Sequence, residues 1–121
     1  MNKIKISKNF YLHEFQCKDG SQLVMLDEAL LQKLQELRDK IGLPIRINSA
    51  YRTPEHNKAI GGSPKSQHML GKAADISVSG ISAESLAIMC ETMGFGGIGI
   101  YKSKGFVHVD TRSKKSRWTE E

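Results

Sequence analysis

Two short alternating segments, Ala73-Ala74-Asp75-Ile76-Ser77-Val78 and Phe106-Val107-His108-Val109-Asp110, constrain this chain more than any other feature. Successive side chains of a strand point to opposite faces, so Ala73, Asp75 and Ser77 share one side and Ala74, Ile76 and Val78 the other. In the second segment Val107 and Val109 share one side, and His108 and Asp110 the other. If the apolar faces pack inward and the strands are neighbours, Asp75 and His108 meet in a cleft. His68, with the turn-forming Gly71 after it, can close a triangle from a loop. Its distance from Asp75 along the chain is too great for the i, i+4 pair of a metal-binding helix, so loop and strand must hold the group. Two imidazoles and one carboxylate are the protein ligands of an open, catalytic zinc site, which keeps a fourth position for water.

Singly, each of these residues has an ordinary reading as a surface or core histidine or a turn-forming aspartate. Jointly they form a pattern, S-x-H-x-x-G-x-A-x-D from Ser66 to Asp75 and then F-V-H-x-D from Phe106 to Asp110. That pattern resembles the zinc D-alanyl-D-alanine carboxypeptidase family. Its superfamily also holds vancomycin-resistance dipeptidases, phage endolysins that cut peptidoglycan peptides, murein endopeptidases and the hedgehog signalling domain. The resemblance runs from about Ser49 to Asp110 and includes Ser49-Ala50-Tyr51-Arg52. It implies an α+β fold of the Hedgehog/DD-peptidase type, a small antiparallel sheet with flanking helices. It also implies zinc on His68, Asp75 and His108, and a role for Arg52 in substrate binding and transition-state stabilisation. The planar guanidinium fork of an arginine suits a substrate carboxylate or a developing oxyanion.

The chain departs from the family in one respect. Many relatives carry the catalytic acid three residues before the last histidine, where this sequence has Gly105. Either Asp110 takes that role, or it holds a ligand imidazole in its tautomer while another acid serves. Ser66 is a candidate to hydrogen-bond a metal ligand or the substrate; its plain reading is a turn serine.

The remaining segments read as scaffold. Asp27 is an expected N-cap for a helix with Leu30, Leu34, Leu37 and Ile41 on its buried stripe, stopped by Gly42 and Pro44. Ile45 to Arg52 alternates as a strand with Ile45, Ile47, Ser49 and Tyr51 on one side. Thr53-Pro54 opens a short helix over 55–60, and Ser82 caps another carrying Leu86, Met89, Cys90 and Met93. Gly96 to Asp110 is expected to be an antiparallel hairpin. The tail from Thr111 is polar and basic, with Trp118 docking back on the body.

A chain of 121 residues is expected to be one domain, residues 1–121. Its net charge of +5 invites an anionic partner. Zinc-finger, RNP and helix-turn-helix signatures are missing, so nucleic acid is not expected, whereas an anionic cell wall fits. No apolar run is long enough to cross a bilayer, and no apolar stretch follows the basic start, so neither membrane insertion nor a signal peptide is expected. Cys17 and Cys90 are expected as free thiols. The expected function is a monomeric zinc peptidase, made in the cytoplasm and acting on peptidoglycan stem or cross-bridge peptides. It would be a D,D-carboxypeptidase or endopeptidase, or an L-alanyl-D-glutamate endopeptidase, in the manner of a phage lysis or tail-associated enzyme. The rival is a catalytically inactive zinc-containing module of the same fold that binds cell wall or a protein partner.

Overall fold

Sequence order and spatial order diverge early in the computed structural model, which describes residues 1–121. A two-stranded antiparallel ladder of β1 (Lys5–Ser7) and β2 (Phe10–Tyr11) precedes α1 (Glu28–Ile41). Leu30, Leu34 and Leu37 of α1 are fully buried, as their spacing requires. Burying a leucine side chain contributes about 1.5–3 kcal/mol, so this stripe fixes the helix to the body. Asp27 stands at the N-cap, but its side chain caps nothing; its Oδ2 accepts from Thr111 Oγ1 at 3.5 Å. Gly42 ends the helix in the left-handed conformation, φ 75°, with its N–H donating to the Arg38 carbonyl.

The next strand is β3 (Arg46–Ser49), followed by α2 (Pro54–Ala59), whose Thr53 cap accepts from His56 N at 3.1 Å. Strict alternation through residue 52 does not hold here. The register shifts between Ile47 and Ser49, the strand stops at Ser49, and Ala50, which strict alternation places on the side opposite Ile45 and Ile47, is buried in the core with them. An irregularity of this kind turns the following side chains to the other face. A 3₁₀ turn, Gln67–Leu70, leads into β4 (Ala73–Ser77), and Gly71 at φ 70° lies against the Met25 backbone. Next comes α3 (Ala83–Glu91), with Ser82 accepting from Ser85 N at 3.1 Å. The chain then runs through β5 (Gly97–Tyr101), β6 (Phe106–Asp110) and β7 (Ser116–Glu120).

The main sheet has the order β3-β4-β6-β5-β7. Four strands are antiparallel neighbours, as expected for this α+β fold; β7 adds to the edge parallel to β5. The tail expected only to dock Trp118 is therefore part of the sheet. Ile47, Ile76, Val107 and Ile100 lie opposite one another across the strands and form the core face. Leu30, Leu34 and Leu37 of α1 and Leu86, Ala87 and Cys90 of α3 join the same core. One residue along β4, β6 and β5, and two along β3 because of its register shift, Ser49, Asp75, His108, Gly99 and Trp118 form a second row across all five strands. Adjacent positions on a strand face opposite sides, so this row lies on the face away from the core. No helix is long and apolar enough to cross a membrane. Cys17 and Cys90 are free and buried, and burial, aided by the Glu91 charge, pushes the Cys90 thiol up to about 12.

A Cβ on Gly99 would collide with the Trp118 indole. Replacing Gly99 with Val is expected to force β7 from its seat and destabilise the fold by about 1–3 kcal/mol. Denaturant midpoints of the two proteins at unchanged slope check this.

Candidate active site

His68 is held by backbone chemistry. Ser66 caps the 3₁₀ turn, its Oγ accepting from His68 N at 3.1 Å, and Arg52 N donates to the His68 carbonyl at 3.1 Å. The ring Nδ1 lies 2.6 Å from the Ala50 carbonyl, just past the irregularity in β3. A carbonyl oxygen only accepts, so Nδ1 carries the proton and Nε2 turns its lone pair elsewhere. It points at Asp75 Oδ1, 3.3 Å away.

His108 arrives at the same atom from β6. Its Nε2 lies 2.7 Å from Asp110 Oδ2 and its Nδ1 3.1 Å from Asp75 Oδ1. Asp110 has no solvent exposure. Burial opposes ionisation of its carboxyl, yet hydrogen bonds from His108 and Arg112 outweigh that and hold it below the usual carboxylate range. Arg112 grips both Asp110 oxygens, through Nε at 2.9 and 3.0 Å and Nη2 at 2.7 Å. Asp75 behaves alike: burial raises its pKa, and the bonds and charges of His108 and His68 lower it further than burial raises it. Burial pulls the His108 pKa down, but Asp110 and Asp75 on its two nitrogens push it above the ordinary 6.5.

Each imidazole thus has its outer nitrogen occupied by an acceptor. The inner ones, His68 Nε2 and His108 Nδ1, face one carboxylate oxygen. Three electron-pair donors aimed at each other in a buried place repel unless a cation lies among them. The three residues are 3%, 5% and 7% exposed for His68, Asp75 and His108, and can together hold a metal ion. A tetrahedral ion with bonds of about 2.0–2.1 Å sets its donors roughly 3.3 Å apart. Separations of 3.1 and 3.3 Å from Asp75 match that size, so the residues fit the ion.

The three donors open onto a cleft of ≈ 690 Å³ lined also by Arg52, Lys65, Ser66, Lys104, Trp118 and Glu120. Arg52 Nη2 lies 3.3 Å from Asp75 Oδ2, the oxygen turned from the imidazoles, and Nη1 lies 3.2 Å from Asn57 Oδ1. Ser66 lines the cleft while its hydroxyl caps the turn of His68. Asp110 touches His108 but has no oxygen free toward the cleft.

Sequence reasoning passed over Arg112, Asn57 and the position of Trp118. The Trp118 ring lies 5.1 Å from that of His108, and the Arg112 guanidinium sits 5.4 Å from the indole centre. A signal existed in Gly97 and Gly99, which alternate on one face of β5 and leave room for a bulky neighbour. A Cβ on Gly97 would meet the Asp110 carboxylate, as one on Gly99 would meet Trp118.

The profile of the family described as Peptidase M15 matches residues 8–110. The peptidoglycan L,D-endopeptidase MepK of Escherichia coli (strain K12) is 29% identical over 106 residues, 82% of this chain and 58% of that protein. The protein of the same name from Shigella flexneri gives the same values. A probable peptidoglycan L,D-endopeptidase MepK from Haemophilus influenzae is 29% identical over 102 residues, 78% of this chain and 55% of its own length. The chain therefore spans a little over half the length of these curated relatives.

Two outcomes follow from the geometry. Ala in place of His68, Asp75 or His108 is expected to abolish stoichiometric metal uptake, while Asp110→Asn weakens affinity about 10–100-fold; metal titration against a competing chelator measures both. In metal-free protein the raised His108 pKa gives stabilisation complete below pH 6.5 and lost as pH rises through its folded-state value. The lowered Asp75 and Asp110 pKa values act oppositely, their stabilisation present above pH 3.8 and lost as pH falls below it. Melting temperatures across pH are expected to fall at both ends, and added metal to restore the alkaline side.

Proposed function

The chain belongs to the Peptidase M15 family, and we propose that it is a zinc-dependent endopeptidase acting on peptide bonds of bacterial peptidoglycan. The observation that carries this reading is the aim of His68 Nε2 and His108 Nδ1 at Asp75 Oδ1, at the edge of a cleft with cationic sides. The name of the relatives, peptidoglycan L,D-endopeptidase, supports an endopeptidase over a carboxypeptidase. The cell wall is the proposed place of action.

In this reading His68, Asp75 and His108 hold the ion. When bound, zinc supplies Lewis acidity, bringing the pKa of a water to about 7 and polarising a scissile carbonyl. Asp110 fixes His108 with its proton on Nε2 and keeps Nδ1 basic. With Arg112 on both of its oxygens, Asp110 is a positioning residue here, and the acid that moves the proton is another group. Arg52 presents its guanidinium to a substrate carboxylate or to the oxygen that gains charge as the carbonyl is attacked. Tyr101 offers a hydroxyl donor, since burial and the charges of Glu120 and Asp75 keep it protonated. Lys65 and Lys104 give the mouth of the cleft a positive potential, which favours acidic peptide substrates.

The rival reading, a zinc-holding binding module without chemistry, is favoured by Gly105 in the position where many relatives carry an acid and by the engaged oxygens of Asp110. Zinc-loaded protein incubated with purified peptidoglycan separates the two. New amino groups are expected, suppressed by a chelator and restored by zinc, and the fragment masses identify the bond. Arg52→Ala is expected to lower kcat by about 10²–10³-fold. A chain that holds zinc and binds peptidoglycan but releases nothing is the module.

A further inference from the structure

We infer that Asn57 is a positioning residue that aims the Arg52 guanidinium into the cleft and ties it to the loop forming one rim, using a neutral amide that adds no second carboxylate to the one Asp75 already sets against the arginine. Asn57 lies on α2, outside the set of metal-ligating types, and is only 2% exposed. Asparagine is mostly a surface residue, and a buried one has each polar atom occupied. Its Oδ1 accepts from Arg52 Nη1 at 3.2 Å, and its Nδ2 donates to the Ser63 carbonyl at 2.8 Å. Its own carbonyl accepts from Gly62 N at 2.8 Å. A Cβ on Gly62 would collide with the amide of Asn57, so the loop passes directly against this side chain. Gly61, Gly62, Ser63, Lys65 and Ser66 all line the cleft that Arg52 enters.

The partners dictate the residue type. A cation on one side demands an acceptor, and a carbonyl on the other demands a donor. Aspartate has the same shape, but it would set an oxygen against the Ser63 carbonyl and put a second carboxylate on Arg52 beside Asp75. Leucine fills the space and bonds to neither. The other holds on Arg52 are longer, 3.4 Å to Ser49 Oγ and 3.3 Å to Asp75 Oδ2, and Asp75 is itself a candidate metal ligand. Of the three, Asn57 is the neutral partner that is buried and anchored at its far end.

That Arg52 acts on substrate rests on the proposed function; that Asn57 immobilises Arg52 does not. The first measurement is therefore independent of turnover: rotation about the Arg52 Nε–Cζ bond, read from its side-chain nitrogen resonances in the full-length protein with and without zinc. Slow rotation is expected in the unsubstituted protein and in Asn57→Asp, and fast, averaged rotation in Asn57→Ala. Fast rotation in the unsubstituted protein, or slow rotation in Asn57→Ala, overturns the inference, and the first of these needs no variant to fold. The second measurement is a double-mutant cycle on peptidoglycan. Asn57→Ala is expected to lower kcat/KM about tenfold alone and less than about twofold in the Arg52→Ala background, where additive losses overturn the coupling. Asn57→Asp is expected to lose kcat/KM despite a held guanidinium, and unchanged kcat/KM overturns the claim that neutrality matters. Unsubstituted protein that cleaves nothing refutes the proposed function, while the rotation rates still decide Asn57.

Discussion

Two imidazole lone pairs directed at one buried carboxylate oxygen make an arrangement that is uncomfortable without positive charge between them. The remainder of the cleft accommodates that demand. Desolvation of Asp75 and His108 is severe, and a buried charge is tolerated only when paired and hydrogen-bonded. Hence every polar atom around the trio is engaged, and no buried side-chain nitrogen or oxygen lacks a partner. The Ala50 carbonyl and the Asp110 carboxylate choose the tautomers from outside, so in the neutral rings the inner nitrogens present lone pairs, and a proton or an ion must lie between them and Asp75.

This support is layered. Asp110 orients His108, Arg112 clamps Asp110, and the Trp118 indole lies beside both His108 and Arg112. On the opposite side Asn57 and Ser49 flank Arg52, which reaches the second Asp75 oxygen. The two oxygens of Asp75 therefore face different tasks, one toward the imidazoles and one toward the guanidinium. Rigid strands carry the trio's acid and second histidine, whereas His68 relies on a short turn pinned by Ser66 and by the Arg52 amide. Precision here comes from neighbours that are themselves locked.

Much of this was legible in the amino-acid order because it rests on period. Alternation through Ala73–Val78 and Phe106–Asp110 put Asp75 and His108 on one face, and the ladder pairs them directly. The Leu30, Leu34 and Leu37 stripe and the Thr53 and Ser82 caps were equally local signals. What escaped was whatever depends on contacts between distant segments. Ala50 turns inward because a register shift interrupts β3, which no composition rule announces. The strand Ser116–Glu120 carries no alternation of apolar and polar residues, and its pairing is made by backbone bonds and by the space above Gly99. Asn57 looked like an ordinary polar position on a short helix, and only its burial between Arg52 and Ser63 distinguishes it.

Trp118 is the chain's single tryptophan, and its ring sits 5.1 Å from His108. The chain therefore holds its one indole against a candidate metal ligand, and a change in the charge on that imidazole is expected to register in the indole's own emission, with no label added.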